Sequence, residues 1–275
     1  MSNCLLAWPD YTLSSASHTP TVTGGSWQST LPLGNLLLAP LSRKARSTNA
    51  TEAFTYFDIN LITARGILLI ALLRHNCSAA ATVRIKGSTV SNFNSTVYDS
   101  GAVTLWPEGY PTAENRLGYQ ADFYLPLPSV QTARYWRVAF SDTGNTSGYV
   151  ELARCCLMAA WQPTLNMIYG AALGLETDTT SDRALGGATY FDRREPRRVQ
   201  KFTLENLAEG EAFDRAFKMQ WQLGIDGEIL FCHDPAATGE RLKQRTFLAT
   251  LRQLTAIEYP YTTAHRTAFE LLEKL

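Results

Sequence analysis

For its first 165 residues the chain shows no sustained helical periodicity. Apolar residues come in short runs, and Pro, Gly, Ser and Thr break them roughly every ten residues, the rhythm of many short strands. Phe54–Leu61 is rich in aromatic and branched residues, and Gly66–Arg74 is a continuous apolar run, as expected of a strand covered on both faces. In 81–87, Val83 and Ile85 alternate with Arg84 and Lys86, which predicts a half-buried strand. In 133–140, Tyr135, Arg137 and Ala139 share one face, and Trp136, Val138 and Phe140 share the other. A turn at 142–148 and a strand at 149–157 follow. Residues 1–165 therefore read as a β-sandwich of jelly-roll type.

The pattern changes near residue 166. A stretch rich in Gly, Ala, Thr and Asp leads into the arginine-rich 193–201, so 166–200 reads as a linker or arm. Beyond it, 198–204 predicts a strand. Residues 208–223 predict a helix, with Phe213, Phe217 and Trp221 in one apolar stripe at i, i+4 and i+8 and Gly224 as its stop. Residues 228–233 predict another strand, 246–258 an extended run, and 267–275 a strand or a helix. Residues 201–275 thus read as a smaller α+β domain, a β-sandwich with one helix, and the fold class is mainly β.

Lys+Arg 25 balance Asp+Glu 25, so net charge gives no ground for a nucleic-acid or membrane-surface partner. No apolar run approaches the ~20 residues of a spanning helix. The N-terminus has no basic segment followed by an apolar one, so no secretory signal is expected. Cys4, Cys77, Cys155, Cys156 and Cys232 form no metal-binding spacing and read as buried reduced thiols. No zincin, nucleophile-elbow, P-loop or dinucleotide motif occurs. His75 and His233 read as strand-end residues, and a hydrolase centred on His75 and Asp58 is the third-ranked reading. No catalytic residue and no cofactor is expected, apart from a structural Ca²⁺ for which Asp99, Asp142 and Glu151 are the candidate ligands.

Two polar or aromatic features remain. Arg183, Arg193, Arg194, Arg197, Arg198 and Lys201 fall within nineteen residues. Guanidinium forks suit carboxylates across an interface, so this segment is expected to contact a neighbouring subunit. Trp106, Glu108 and Tyr110 lie in a Pro-bounded loop suited to stacking on a sugar ring or docking on a protein.

The order of several elements resembles the discoidin-like branch of the galactose-binding-like jelly rolls. The elements are Pro32–Leu36, Arg46-Ser47, Phe57–Leu61, Leu69–Arg74 with His75-Asn76, Ala81–Ile85, Tyr98–Ser100, Ala133–Val138 and Tyr149–Leu152. Asp58-Ile59-Asn60 stands where that family carries Asp-Leu-Gly. His75-Asn76 followed by an Ala-Thr-Val-Arg-Ile strand is similar to the form in tail proteins of tailed bacteriophages. Gly186-Gly187, the arginine-rich strand, the aromatic helix and His233-Asp234-Pro235 resemble their distal-tail and tail-tube modules. The resemblance implies a non-enzymatic component of a tail tip or baseplate. It would be made in the bacterial cytoplasm, carried on the virion, and assembled with other tail proteins and with copies of itself in a ring. The alternative is a glycan-binding module that attaches to host surface sugars.

Overall fold

The computed structural model describes residues 2–106 and 120–275. Its chain divides into two compact units, the first built from Ala7–Ala160 with Pro235–Thr246, the second from Ser2–Leu6, Trp161–Asp234 and Phe247–Leu275. The contributions of 2–6 to the second unit and of 235–246 to the first have no counterpart in the sequence pattern. Ser2 N donates to Asp234 Oδ1, Asn3 Nδ2 to the carbonyls of Pro163 and Thr164, and Cys4 N to Asn166 Oδ1. Backbone and side-chain hydrogen bonding of that kind leaves no trace in hydropathy.

The first unit is a β-sandwich of jelly-roll type. Its strands are β1 (Leu5–Asp10), β2 (Thr21–Thr23), β3 (Ala45–Arg46), β4 (Tyr56–Leu73), β5 (Thr82–Ser88), β6 (Thr96–Thr104), β7 (Phe123–Ser141), β8 (Glu151–Leu152) and β9 (Arg154–Trp161). A 3-10 helix spans Leu33–Leu37. The strand order is β1-β9-β4-β7-β5-β6, with β2 on β4 and a separate β3-β8 pair. The two runs expected at 54–61 and 66–74 are one strand, β4, whose pairing with β7 shifts register between Asn60 and Arg65. Ile62 there has a φ of 65°, and its N–H bonds Asn60 Oδ1. A register shift of this kind bends a strand and lets one ribbon serve two layers. Leu69–Leu73 are buried without alternation, as a strand covered on both faces must be. The core is Phe57, Ile59, Ile70, Leu72, Val83, Ile85, Trp136, Val138, Phe140, Cys155 and Leu157 with their neighbours.

The second unit is the smaller α+β part. It holds β10 (Ala172–Glu176), β11 (Thr180–Arg183), β12 (Thr189–Asp192), β13 (Arg197–Leu207), β14 (Glu228–Cys232), β15 (Thr246–Leu251), β16 (Glu258–Tyr261) and β17 (Ala264–Glu273). The sheet order is β10-β13-β17-β15-β14, with β16 on β17 and β11-β12 a separate hairpin. Phe202 stacks on Phe231 at 5.3 Å and lies 5.4 Å from Phe269, which makes an aromatic core. The segment read as a linker is thus about half strand, and 267–273 lies in β17.

The helix at 208–223 is wound as a π-helix over Glu211–Phe217 and as an α-helix over Lys218–Leu223. Its buried side is Ala212, Ala216, Met219 and Gln220. The aromatic stripe faces outward, with Phe217 45% and Trp221 79% exposed. Small alanines let the helix backbone sit close to its neighbours, and i→i+5 winding displaces the stripe from the phase a 3.6-residue repeat assigns. A short helix at Gly239–Gln244, absent from the sequence reading, belongs to the first unit.

Candidate functional site

The sequence features that carry the jelly-roll resemblance fold into one structural staple. Asn76 N donates to Glu151 O, and its Nδ2 to Tyr149 O, while Glu151 N donates to Asn76 Oδ1. Glu151 accepts from Lys44 Nζ at 2.7 Å and Arg46 Nη2 at 2.6 Å, and Arg46 lies 4.2 Å from the Tyr149 ring centroid. Ser47 Oγ accepts from Val150 N. Loops distant in sequence are tied together with little left over for a ligand.

Those contacts also settle the three carboxylates considered for calcium. Glu151 is held by Lys44 and Arg46, Asp99 by Arg84 and Lys86, and Asp142 accepts from Ser78 and Asn145. They are spread over three separate networks, and among the described residues no group of three His, Cys, Asp or Glu is placed to hold a metal ion.

Trp106 is a correction to the sequence reading. It is only 6% exposed, its indole N–H donates to Cys77 O, and Lys243 Nζ sits 4.3 Å from its ring. That ring is therefore already occupied by protein and offers no open platform. Glu108 and Tyr110 lie outside the described residues. His75 is buried against Trp106 with ring centroids 5.3 Å apart, and Asp58 is engaged by Arg137, so the two do not form a hydrolytic pair. His233 ends β14, with its ring 6.4 Å from that of Phe231, and Asp234 accepts Ser2 N.

The arginine-rich segment divides by partner. Arg197 pairs with Asp178, Arg198 with Glu273, and Lys201 with Glu270, all within the second unit. Arg194 pairs with Asp192 at the surface, each more than half exposed. Arg183 and Arg193 have no ion-pair partner among the described residues. Four of the six residues expected at an interface are thus ion-paired within this chain.

A site that the sequence reading missed lies on the outer face of β4, β5 and β7. Inward Val83, Ile85, Val138 and Phe57 leave Arg84, Lys86, Arg137 and Tyr56 pointing out. These residues, with Glu52, Ala53 and Ala139, line a depression of about 460 Å³. That lies within the ~300–1,000 Å³ typical of small-ligand sites. Cross-strand pairing sets the spacing: Asp58 is opposite Arg137, and Arg137 is opposite Lys86.

Two guanidinium groups there are fixed in the same way. Arg137 donates from Nε and Nη2 to the two oxygens of Asp58 at 2.7 Å each. Arg84 donates from Nε and Nη2 to Asp99 at 2.9 and 2.7 Å. Each fork is locked by its carboxylate, and each Nη1 keeps its hydrogens for another acceptor. Arg137 is further held between two rings, 4.9 Å from Tyr56 and 4.5 Å from Phe93. The hydrogen bonds from Arg84 hold the Asp99 carboxyl below its ordinary value, and those to Asp58 raise the Arg137 guanidinium above its own. Arg84, Asp99 and Arg137 therefore keep their charges across the neutral range. The arrangement supplies held hydrogen-bond donors beside two aromatic rings. A strand-period search exposes Arg84, Lys86 and Arg137 as outward-facing, but their convergence with Phe93 and Glu52 requires the fold.

No protein-family model matches the chain, and no curated protein matches it. Among solved structures, the family 32 carbohydrate-binding module of C. perfringens NanJ, in complex with galactose, aligns at 14% identity and a TM-score of 0.40. That alignment covers 56% of this chain and 99% of the module. CBM32-1 of a family 31 glycoside hydrolase from Clostridium perfringens aligns at 14% identity and a TM-score of 0.35, over 52% and 95% of the two chains. The CBM32 of AlyQ, in complex with 4,5-unsaturated mannuronic acid, aligns at 15% identity and a TM-score of 0.36, over 50% and 92%.

Proposed function

We propose that this is a non-catalytic recognition protein whose jelly-roll unit binds carbohydrate in the depression across β4, β5 and β7. The observation that carries the reading is the pair of carboxylate-locked guanidinium groups, Arg84 and Arg137, beside the rings of Tyr56 and Phe93. Donors held in place before binding lose little rotamer freedom when a ligand arrives. Neighbouring sugar hydroxyls accept well from planar N–H groups, and C–H-rich sugar faces pack on aromatic rings.

A glycan array with neutral and acidic saccharides tests this, followed by calorimetry on the best binder. Arg137→Ala and Arg84→Ala are each expected to weaken binding at least tenfold, the equivalent of about 1.4 kcal/mol. Far-UV circular dichroism is expected to stay unchanged. Absence of binding to every glycan, or binding untouched by both substitutions, overturns the reading.

A second reading is favoured by a separate observation. The β11-β12 hairpin is exposed along its whole length, including Tyr190 and Phe191 at 66% and 68%. An exposed aromatic hairpin suits a chain that joins a larger assembly. On this reading the chain is a component of a bacteriophage tail tip or baseplate, carried on the virion, and the jelly roll meets host surface sugars. Electron microscopy of labelled particles tests it, and particles that lack the chain overturn it.

A further inference from the structure

The second unit carries two exposed apolar surfaces of different character. The first is the β11-β12 hairpin. Ser181 faces Phe191 and Arg183 faces Thr189 across it. Strand alternation places Phe191 and Arg183 on one face, and Arg193 is the first residue past the end of β12. Tyr190, Asp182 and Asp192 fall on the opposite face. The hairpin is therefore two-sided: one face has an exposed phenyl ring with Arg183, which has no ion-pair partner among the described residues, and the other carries the carboxylates. Both outer edges of the hairpin are unpaired. A lone two-stranded hairpin is marginally stable in water and gains order by docking.

The second surface is an aromatic ladder. Phe213, Phe217 and Trp221 follow one another with ring centroids 6.1 and 6.0 Å apart, and Phe213 lies 6.3 Å from Tyr259. Phe217, Trp221, Tyr259 and Tyr261 are 45%, 79%, 67% and 71% exposed. At roughly 200 Å² per aromatic side chain, this leaves on the order of 500 Å² of ring surface, the upper range for a patch on a monomer. On the segments that carry it, Glu205, Glu209, Asp214, Asp226 and Glu258 outnumber Arg215, Lys218 and Arg266, and Arg266 is shared between Glu205 and Glu258. The ladder is thus acidic where the Phe191 face of the hairpin is basic.

We propose that the hairpin of one chain docks on the aromatic ladder of a second copy, with Phe191 among the ladder rings and Arg183 and Arg193 against its acidic rim. The proposal rests on the assembly reading above and gives it a partner, a second copy of this chain, and a polarity. Hairpin and ladder are different surfaces, so the contact is head-to-tail, and its repetition builds a closed ring or an open filament rather than a two-fold dimer.

The test is mass measurement of the full chain by light scattering and sedimentation across a concentration series. Phe191→Glu removes the hairpin contact and Trp221→Glu the ladder contact. Both residues are exposed, so both variants are expected to keep the wild-type circular dichroism and melting temperature. Wild type is expected to form species larger than a dimer, and each variant alone to stay monomeric. A mixture of the two is expected to give a dimer and nothing larger, because one intact hairpin meets one intact ladder and both free ends are blocked. An Asp214→Arg variant with Arg193→Asp is expected to assemble more than either single change. A mixture that stays monomeric, or variants that assemble like wild type, overturn the docking while leaving assembly through another surface standing. A wild-type chain that is monomeric at high concentration overturns both the docking and self-assembly. None of these outcomes bears on glycan binding.

Discussion

Asp10, which ends β1, and Arg154, which opens β9, form the most deeply buried ion pair among the described residues, with side chains 3% and 0% exposed and Arg154 Nη2 2.5 Å from Asp10 Oδ2. The carboxylate also accepts from Thr12 N, Thr12 Oγ1 and Leu157 N. Replacing Arg154 with Met keeps much of the volume but leaves a buried carboxylate without a counter-ion. Charge centres about 4 Å apart at an effective dielectric near 20 attract by about 4 kcal/mol. Removal of one partner from a buried pair costs ~3–5 kcal/mol, the same range. For a unit of this size each kcal/mol moves the melting temperature by about 2–4 °C, so a drop of about 6–20 °C is expected.

Adding Asp10→Asn to Arg154→Met then gives a decisive comparison. The asparagine Oδ1 can still accept from Thr12 and Leu157, and the uncompensated Asp10 charge is gone. The double variant is therefore expected to be more stable than Arg154→Met alone, with a coupling energy of at least ~2 kcal/mol in a double-mutant cycle. Urea unfolding followed by calorimetry of the same proteins measures it. If Arg154→Met costs under ~1 kcal/mol, or if the two single losses add, the pair is not acting as a desolvated ion pair and the reasoning fails.

Burial pushes the Glu151 carboxyl up, but hydrogen bonds from Lys44 and Arg46 outweigh this and hold it below its ordinary value of 4.5. A depressed carboxyl contributes stability that is present above pH 4.5 and is lost as pH falls through the lower folded value, so Glu151→Gln is expected to flatten the acid limb of stability against pH. Gly25 has a φ of 61°, and a Cβ there would lie 2.2 Å from Tyr56 O and 2.7 Å from Phe54 O. Gly25→Ala is expected to cost about 2–4 kcal/mol in chemical unfolding, from left-handed strain and backbone overlap together, and to weaken glycan binding by shifting Tyr56. All five cysteines are buried and none is in a disulfide, and burial pushes Cys4 up to about 12 and Cys77 and Cys155 up as well. Native protein is accordingly expected to resist alkylation at pH 8 and to take up five labels once unfolded, as intact-mass measurement would show.

The sheets were legible because burial on one face imposes a two-residue period. Val83 and Ile85 alternate against Arg84 and Lys86 in sequence and in space. The apolar run at 66–74 lost its alternation because both sides of β4 are covered there. Sequence misled where winding or distant partners intervene. Phe213, Phe217 and Trp221 satisfy a buried-stripe pattern, yet the small Ala212 and Ala216 occupy the buried side, Phe213 is only part-buried, and Phe217 and Trp221 face solvent. Trp106 sits in a Pro-rich setting that suggests exposure. The residue that covers it, Lys243, lies more than a hundred positions away, on a short helix that sequence did not place in this unit.

The same logic explains why the candidate binding depression escaped a motif search. Its chemistry is held in register rather than in spacing: Asp58 meets Arg137 because β4 pairs with β7, and Arg137 meets Lys86 because β7 pairs with β5. Read singly, each is the outward half of an alternating strand, indistinguishable from a solvated surface charge. Pairing turns them into carboxylate-locked guanidinium forks, and the loop residue Phe93, at a φ of 58°, closes over one of them. A surface salt bridge contributes little to stability when its side chains are mobile. Here the ring contacts hold Arg137 in place, as the proposed glycan site requires of a donor. That separates it from Asp10–Arg154: substitution at Arg137 should reduce binding with little loss of stability, whereas substitution at Arg154 should do the reverse.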